Sequence, residues 1–144
     1  MIIDERKNNG GQADNYITDI LSHHYLGSWK DRDGMIFDTP GAAVYGPKVM
    51  LIDQDAGSGG DFLPYSFRRM GIGKLIGKTT WGGLIGIENE GVSPDMDVVL
   101  DPVLVNKGRD TQLEAGIKEL LSQLKSFKPI KLDHAPPLPT KLGD

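Results

Sequence analysis

The sequence predicts an α/β domain, a mostly parallel sheet with flanking helices, on three observations. Short apolar runs of strand length recur along it, segments with helical spacing of apolar residues stand between them, and glycine-rich turns separate the two. The 19 glycines in 144 residues are about twice the usual share of ~7%. They cluster, which marks places where the backbone needs special geometry. One domain suits this length. It is drawn over residues 1–127, with residues 128–144, which hold Pro129, Pro136, Pro137 and Pro139, as an extended tail.

Met1-Ile2-Ile3-Asp4 reads as a buried strand that breaks at Asn8-Asn9-Gly10-Gly11. From residue 13 to 25, Tyr16, Ile17, Ile20, Leu21, His24 and Tyr25 recur at helical spacing, and Asp14 suits the N-terminal dipole. Residues 27–47, punctuated by glycine and proline, read as an irregular excursion. Val49-Met50-Leu51-Ile52 is a second strand, followed by the turn Asp53 to Gly60. A helix is expected to start between residues 59 and 61, with Pro64 tolerated in its first turn, and to end at Arg68-Arg69-Met70-Gly71. Leu75-Ile76-Gly77 and Val98-Val99-Leu100 read as the third and fourth strands. Leu113, Ile117, Leu120, Leu121 and Leu124 mark a last helix, opened by a capping box from Thr111 to Glu114.

Composition narrows the chemistry. With no cysteine, a disulfide framework, a thiolate metal site and a thiol nucleophile are all excluded. Sixteen basic against 20 acidic residues leave a net charge of -4, so no global basic field attracts nucleic acid. No apolar run approaches the ~18 residues of a membrane span, so no membrane partner is expected, and the lack of a signal peptide points to a cytoplasmic location. No cofactor and no metal is implied, because no His, Asp and Glu set has ligand spacing.

The segment Val49 to Gly71 is strand, glycine turn and helix, with Ser58 in the turn. Such geometry lifts a hydroxyl clear of the backbone at the positive end of a helix, beside amides that can receive an oxyanion. Gly57, Gly59 and Gly60 clear the approach of a carbonyl to Ser58, and the turn at Gly10 and Gly11 offers a second donor from a separate loop. A glycine turn of this kind equally suits a phosphate. The Walker lysine is absent, however, and Asp61 would repel an anion there.

Four stretches carry a resemblance: Ile3 to Gly11 (IDERKNNGG), Asp55 to Asp61 (DAGSGGD), Gly73 to Gly83 (GKLIGKTTWGG) and Glu88 to Asp95 (ENEGVSPD). In this order, over roughly residues 1–125, they resemble the core of the tricorn protease family, within the C-terminal-processing serine peptidases. The resemblance implies a crotonase-like or Clp-protease-like core, incomplete at its N-terminal side, that hydrolyses peptide bonds through an acyl-enzyme. It makes Ser58 the nucleophile, the amides of Gly59 and Gly10 (less surely Gly11) the oxyanion hole, and Glu88 the acidic member of the catalytic tetrad. Peptides or unfolded polypeptides would be the substrates, and a homo-oligomer is expected.

Two departures stand beside it. The family's general base is a histidine upstream of the strand with which this chain begins, and no block here matches it. His23 and His24 follow the oxyanion turn on a helix, where His24 suits packing better than catalysis, and His134 lies in the tail. The stretch between the Trp-Gly-Gly and Glu-Asn blocks is also shorter than in relatives. These departures motivate an alternative, a noncatalytic small-ligand or peptide binding module on the same fold. A third possibility is an interaction piece that self-assembles.

Overall fold

The structure is a computed structural model that describes residues 1–84 and 90–129. Four parallel strands form the sheet: β1 (Ile2–Asp4), β4 (Val49–Ile52), β5 (Lys74–Gly77) and β6 (Met96–Asp97), in the spatial order β1-β4-β5-β6. Between β1 and β4 the chain forms helix α1 (Asp14–Ser22) and an antiparallel hairpin of β2 (Gly27–Lys30) and β3 (Ile36–Thr39). Helix α2 (Gly59–Arg69) links β4 to β5, and α3 (Pro102–Val105) and α4 (Thr111–Ser126) follow β6.

The four β4 residues are wholly buried because helices cover both faces of the sheet. Met50 and Ile52 pack with Leu21 of α1, Leu63 and Phe67 of α2, and Leu75. Val49 and Leu51 face the other way, with Ile76, Ile2, Ala115 and Leu120. Each such buried side chain contributes roughly 1.5–3 kcal/mol.

The expected parallel α/β sheet is present, with several local differences. The excursion at 27–47 contains the β2–β3 hairpin, whose turn Asp31 closes by accepting from the N–H of Met35 at 2.8 Å. Helix α1 stops at Ser22, so His23 and His24 lie beyond it, and its buried residues are Asp14, Thr18 and Leu21. Tyr16, Ile17 and Ile20 are exposed. The helix presents its 14/18/21 stripe, and not the more apolar one, to α2. Pro64 sits in the second turn of α2, six residues in, where its missing N–H leaves the Gly60 carbonyl without its helical donor. The fourth strand is Met96–Asp97, and Val98 adds only an N–H bond to Gly77 O. The cap of α4 is Asp110, one residue before the expected box, accepting from the N–H groups of Gln112 and Leu113. The greater part of the proline-rich tail, residues 130–144 with His134, lies outside the described residues.

Candidate active site

In a parallel sheet, functional groups gather beyond the C-terminal ends of the strands. Here the turns after β1 and β4 meet. The carboxylate of Asp53, buried at the end of β4, accepts the N–H groups of Lys7 (2.9 Å), Asp55 (3.1 Å) and Ala56 (3.1 Å), tying the two turns together. Asn8 O accepts the Gly57 N–H at 2.9 Å. With β1 and β4 in parallel register, these bonds fix residues 8–11 beside residues 57–60.

Ser58 is exposed, between buried Gly57 and Gly59, at the N-cap of α2. Its φ of 58° and ψ of -112° lie where a residue with a side chain is strained. That sharp strand-to-helix turn is the shape of a nucleophile elbow. Asp61 holds it. Fully buried in the first turn of α2, its carboxylate accepts the Ser58 N–H at 2.8 Å, the Gly82 N–H at 2.8 Å and the Gly83 N–H at 3.1 Å. One side chain thus fixes the elbow and pins the Trp81-Gly82-Gly83 loop against it. Trp81 N–H donates to Ala56 O at 2.8 Å, and its largely exposed ring lies over Gly57.

Gly10 abuts Ser58: a Cβ built on it would stand 2.8 Å from Ser58 Cβ and 3.1 Å from Oγ. Its N–H donates to Asn8 Oδ1 at 2.9 Å. Among the described residues, the N–H groups of Gly59 and Gly11 have no protein acceptor. The turn therefore holds Gly10 against Ser58 with its amide engaged inside the turn, while Gly11 carries the free amide. Two carboxyls lie close by, Asp14 beside Gly59 and Glu5 bonded to Asn8. Burial pushes Asp14 up from its ordinary range, and burial pushes Glu5 up to about 7, with Asp14 and Asp4 adding to the effect.

Ser58 Oγ donates to no histidine among the described residues. His23 and His24 line a separate groove of about 290 Å³ with Tyr25, Tyr45 and Lys48. Asp14, at the opposite end of the nine-residue α1, is the residue beside Gly59. At 1.5 Å per residue, that places His23 about 13 Å along the axis from the elbow. Glu88 lies outside the described residues; the segments flanking it are joined by Thr80 Oγ1, which accepts the Val92 N–H at 2.8 Å. No set of three or more acidic or histidine side chains able to hold a metal occurs among the described residues. No described helix is long and apolar enough to cross a membrane.

Asp53 and Asp61 are the site residues that the sequence reading missed. For Asp61 a signal existed: Ser58-Gly59-Gly60-Asp61 has the spacing of a capping box. Its partners Gly82 and Gly83, 21 and 22 residues away, had none.

Comparisons with known proteins show the family and the fold. Residues 1–119 match the model of peptidase family S41. The chain is 31% identical to the tricorn protease of Thermoplasma volcanium, over 89% of its own length and 15% of that protein's. To a tricorn protease homolog of Saccharolobus solfataricus it is 30% identical over 86% of its length and 14% of the relative's. It thus spans about one seventh of these curated relatives. The Thermoplasma alignment runs over 156 positions, more than this chain supplies, so the relative carries additional residues within the shared region. The crystal structure of the tricorn protease superposes with a TM-score of 0.81 at 30% identity, over 86% of this chain and 15% of that one. The photosystem II D1 C-terminal processing protease shares the fold, with a TM-score of 0.52 at 22% identity over 83% of this chain and 38% of that one.

Proposed function

The chain belongs to peptidase family S41, and from that premise we propose that it is the nucleophile-bearing segment of a tricorn-like serine peptidase core. Ser58 Oγ attacks the carbonyl carbon of a peptide and its proton passes to a base. The tetrahedral oxyanion rests against the Gly59 N–H and the 10–11 turn, in which the Gly11 amide has no acceptor among the described residues. Collapse breaks the C–N bond, the amine leaves with the proton, and water then hydrolyses the ester and restores Ser58. The base is a histidine from outside this segment, and Glu88 orients it. Peptides or unfolded polypeptides are the substrates, and copies of the chain associate, which the open edge of β1 supports.

The observation that carries this reading is the exposed Ser58 at positive φ on the N-terminus of α2, with Gly10 packed against it. An alkyl fluorophosphonate, followed by peptide mass mapping, tests it. The expected adduct is on Ser58, formed slowly because no described histidine meets its hydroxyl, and absent in Ser58→Ala. An adduct on another residue, or equal labelling of Ser58→Ala, would overturn it. Hydrolysis by the chain alone is expected at only about 10³–10⁴ over water, from the oxyanion site and binding.

One observation favours a second reading, a module that holds peptides without cleaving them: no described histidine meets Ser58 Oγ. Saturable peptide binding that survives Ser58→Ala, with no fluorophosphonate adduct in the wild type, would favour it.

A further inference from the structure

Glu5 follows β1 and is 7% exposed. Its Oε1 accepts the side-chain N–H of Asn8. That bond fixes which way the Asn8 amide faces, so Asn8 Oδ1 is the atom turned to the Gly10 N–H, at 2.9 Å. The Asn8 carbonyl meanwhile accepts the Gly57 N–H at 2.9 Å. Asn8 therefore grips both sides of the site, with Gly10 on one and the residue before Ser58 on the other. Glu5 is the only described side chain that hydrogen-bonds its amide nitrogen.

We propose that Glu5 is a positioning residue for the oxyanion turn: it orients Asn8, and Asn8 sets Gly10 and Gly11 against Ser58. The catalytic part of this inference rests on the peptidase reading; the hold on the turn does not.

The surroundings make that hold sensitive to pH. The charges acting on Glu5 are those of Asp14 on α1 and Asp4 on β1, both acidic, and no described ion pair includes it. Arg6, the adjacent cation, is taken up by Asp4 and Asp110. The acids of the neighbouring elements, Asp53 and Asp61, are occupied by backbone N–H groups. Burial with these two acids pushes Glu5 up to about 7, so it changes charge near neutrality.

The test has two arms on the 144-residue chain, comparing wild type, Glu5→Ala and Glu5→Gln. In the first, the amide resonances of Gly10 and Gly57 are followed by NMR from pH 5 to 9. They are expected to titrate together with a midpoint near 7 in the wild type and to stop in Glu5→Gln, whose amide oxygen still accepts from Asn8 without changing charge. In the second, the rate of fluorophosphonate labelling at Ser58 is expected to fall at least about tenfold in Glu5→Ala, the scale of a misplaced reacting group, and to be largely recovered in Glu5→Gln. A Gly10 titration that persists in Glu5→Gln would overturn the proposal even if Glu5→Ala does not fold. Labelling of Glu5→Ala at the wild-type rate would also overturn it. Resonances that follow Glu5 in a wild type whose Ser58 never labels would support its hold on the turn and overturn the peptidase reading instead.

Discussion

Gly60 has no room for a methyl group: its Cβ would stand 2.2 Å from the carbonyl oxygen of Asn8, a backbone atom that cannot swing aside. Gly60→Ala is therefore expected to lose about 2–3 kcal/mol in urea unfolding, as overpacking at a fixed contact does. A cost under ~0.5 kcal/mol would mean that the two turns are not held together as described. Asp61→Asn replaces one acceptor oxygen by a donor and leaves an N–H among Ser58, Gly82 and Gly83 unsatisfied, a loss of about 1–3 kcal/mol. Release of the Trp81 loop should appear as a change in tryptophan emission. Glu5 works through pH. Its folded value of about 7 stands above its ordinary 4.5, so its contribution to stability is complete below 4.5 and is lost as pH rises through about 7. Glu5→Gln removes that dependence and should gain on the wild type between pH 5 and pH 8, on the order of 3 kcal/mol at most. Urea midpoints at the two pH values give the answer, and parallel curves for the two proteins would contradict it.

Elements were legible where burial was complete. β4 reads as a strand because all four side chains enter the core, and α2 because its glycine turn and terminal cations bracket it. The β2–β3 hairpin was not legible, since Trp29, Ile36 and Phe37 are exposed and no buried alternation marks it. In α1 the eye is drawn to Tyr16, Ile17 and Ile20, yet Gly59 of α2 admits close approach of Asp14, at the head of the buried stripe that also bears Thr18. The start of α4 shows a competition between two adjacent cap candidates. Asp110 prevails over Thr111 because its carboxylate serves two backbone N–H groups and also binds Arg6 at 2.7 Å. Asp110→Ala should therefore cost about 1–2 kcal/mol, more than Thr111→Ala, by thermal unfolding.

At the scale of the molecule, the parallel order β1-β4-β5-β6 brings turns nearly 50 residues apart in sequence to one end of the sheet. The turn between β4 and α2 was legible because three glycines surround one serine. The carboxylates that hold it were not, because their partners come from other loops. Gly10 shows the limit in a single residue: sequence placed it beside Ser58, but only the fold shows that its amide is engaged by Asn8 and that the Gly11 amide has no acceptor among the described residues. The chain covers about one seventh of its tricorn relatives, and within that length the fold brings the exposed Ser58 and the 10–11 turn together. The most direct measurement is a crystal structure of the chain after reaction with an alkyl fluorophosphonate. The phosphorus should be bonded to Ser58 Oγ, with the phosphonyl oxygen about 3 Å from the amide nitrogen of Gly59 and facing the 10–11 turn. A phosphonyl oxygen directed to solvent, with the Gly59 N–H aimed elsewhere, would contradict the account.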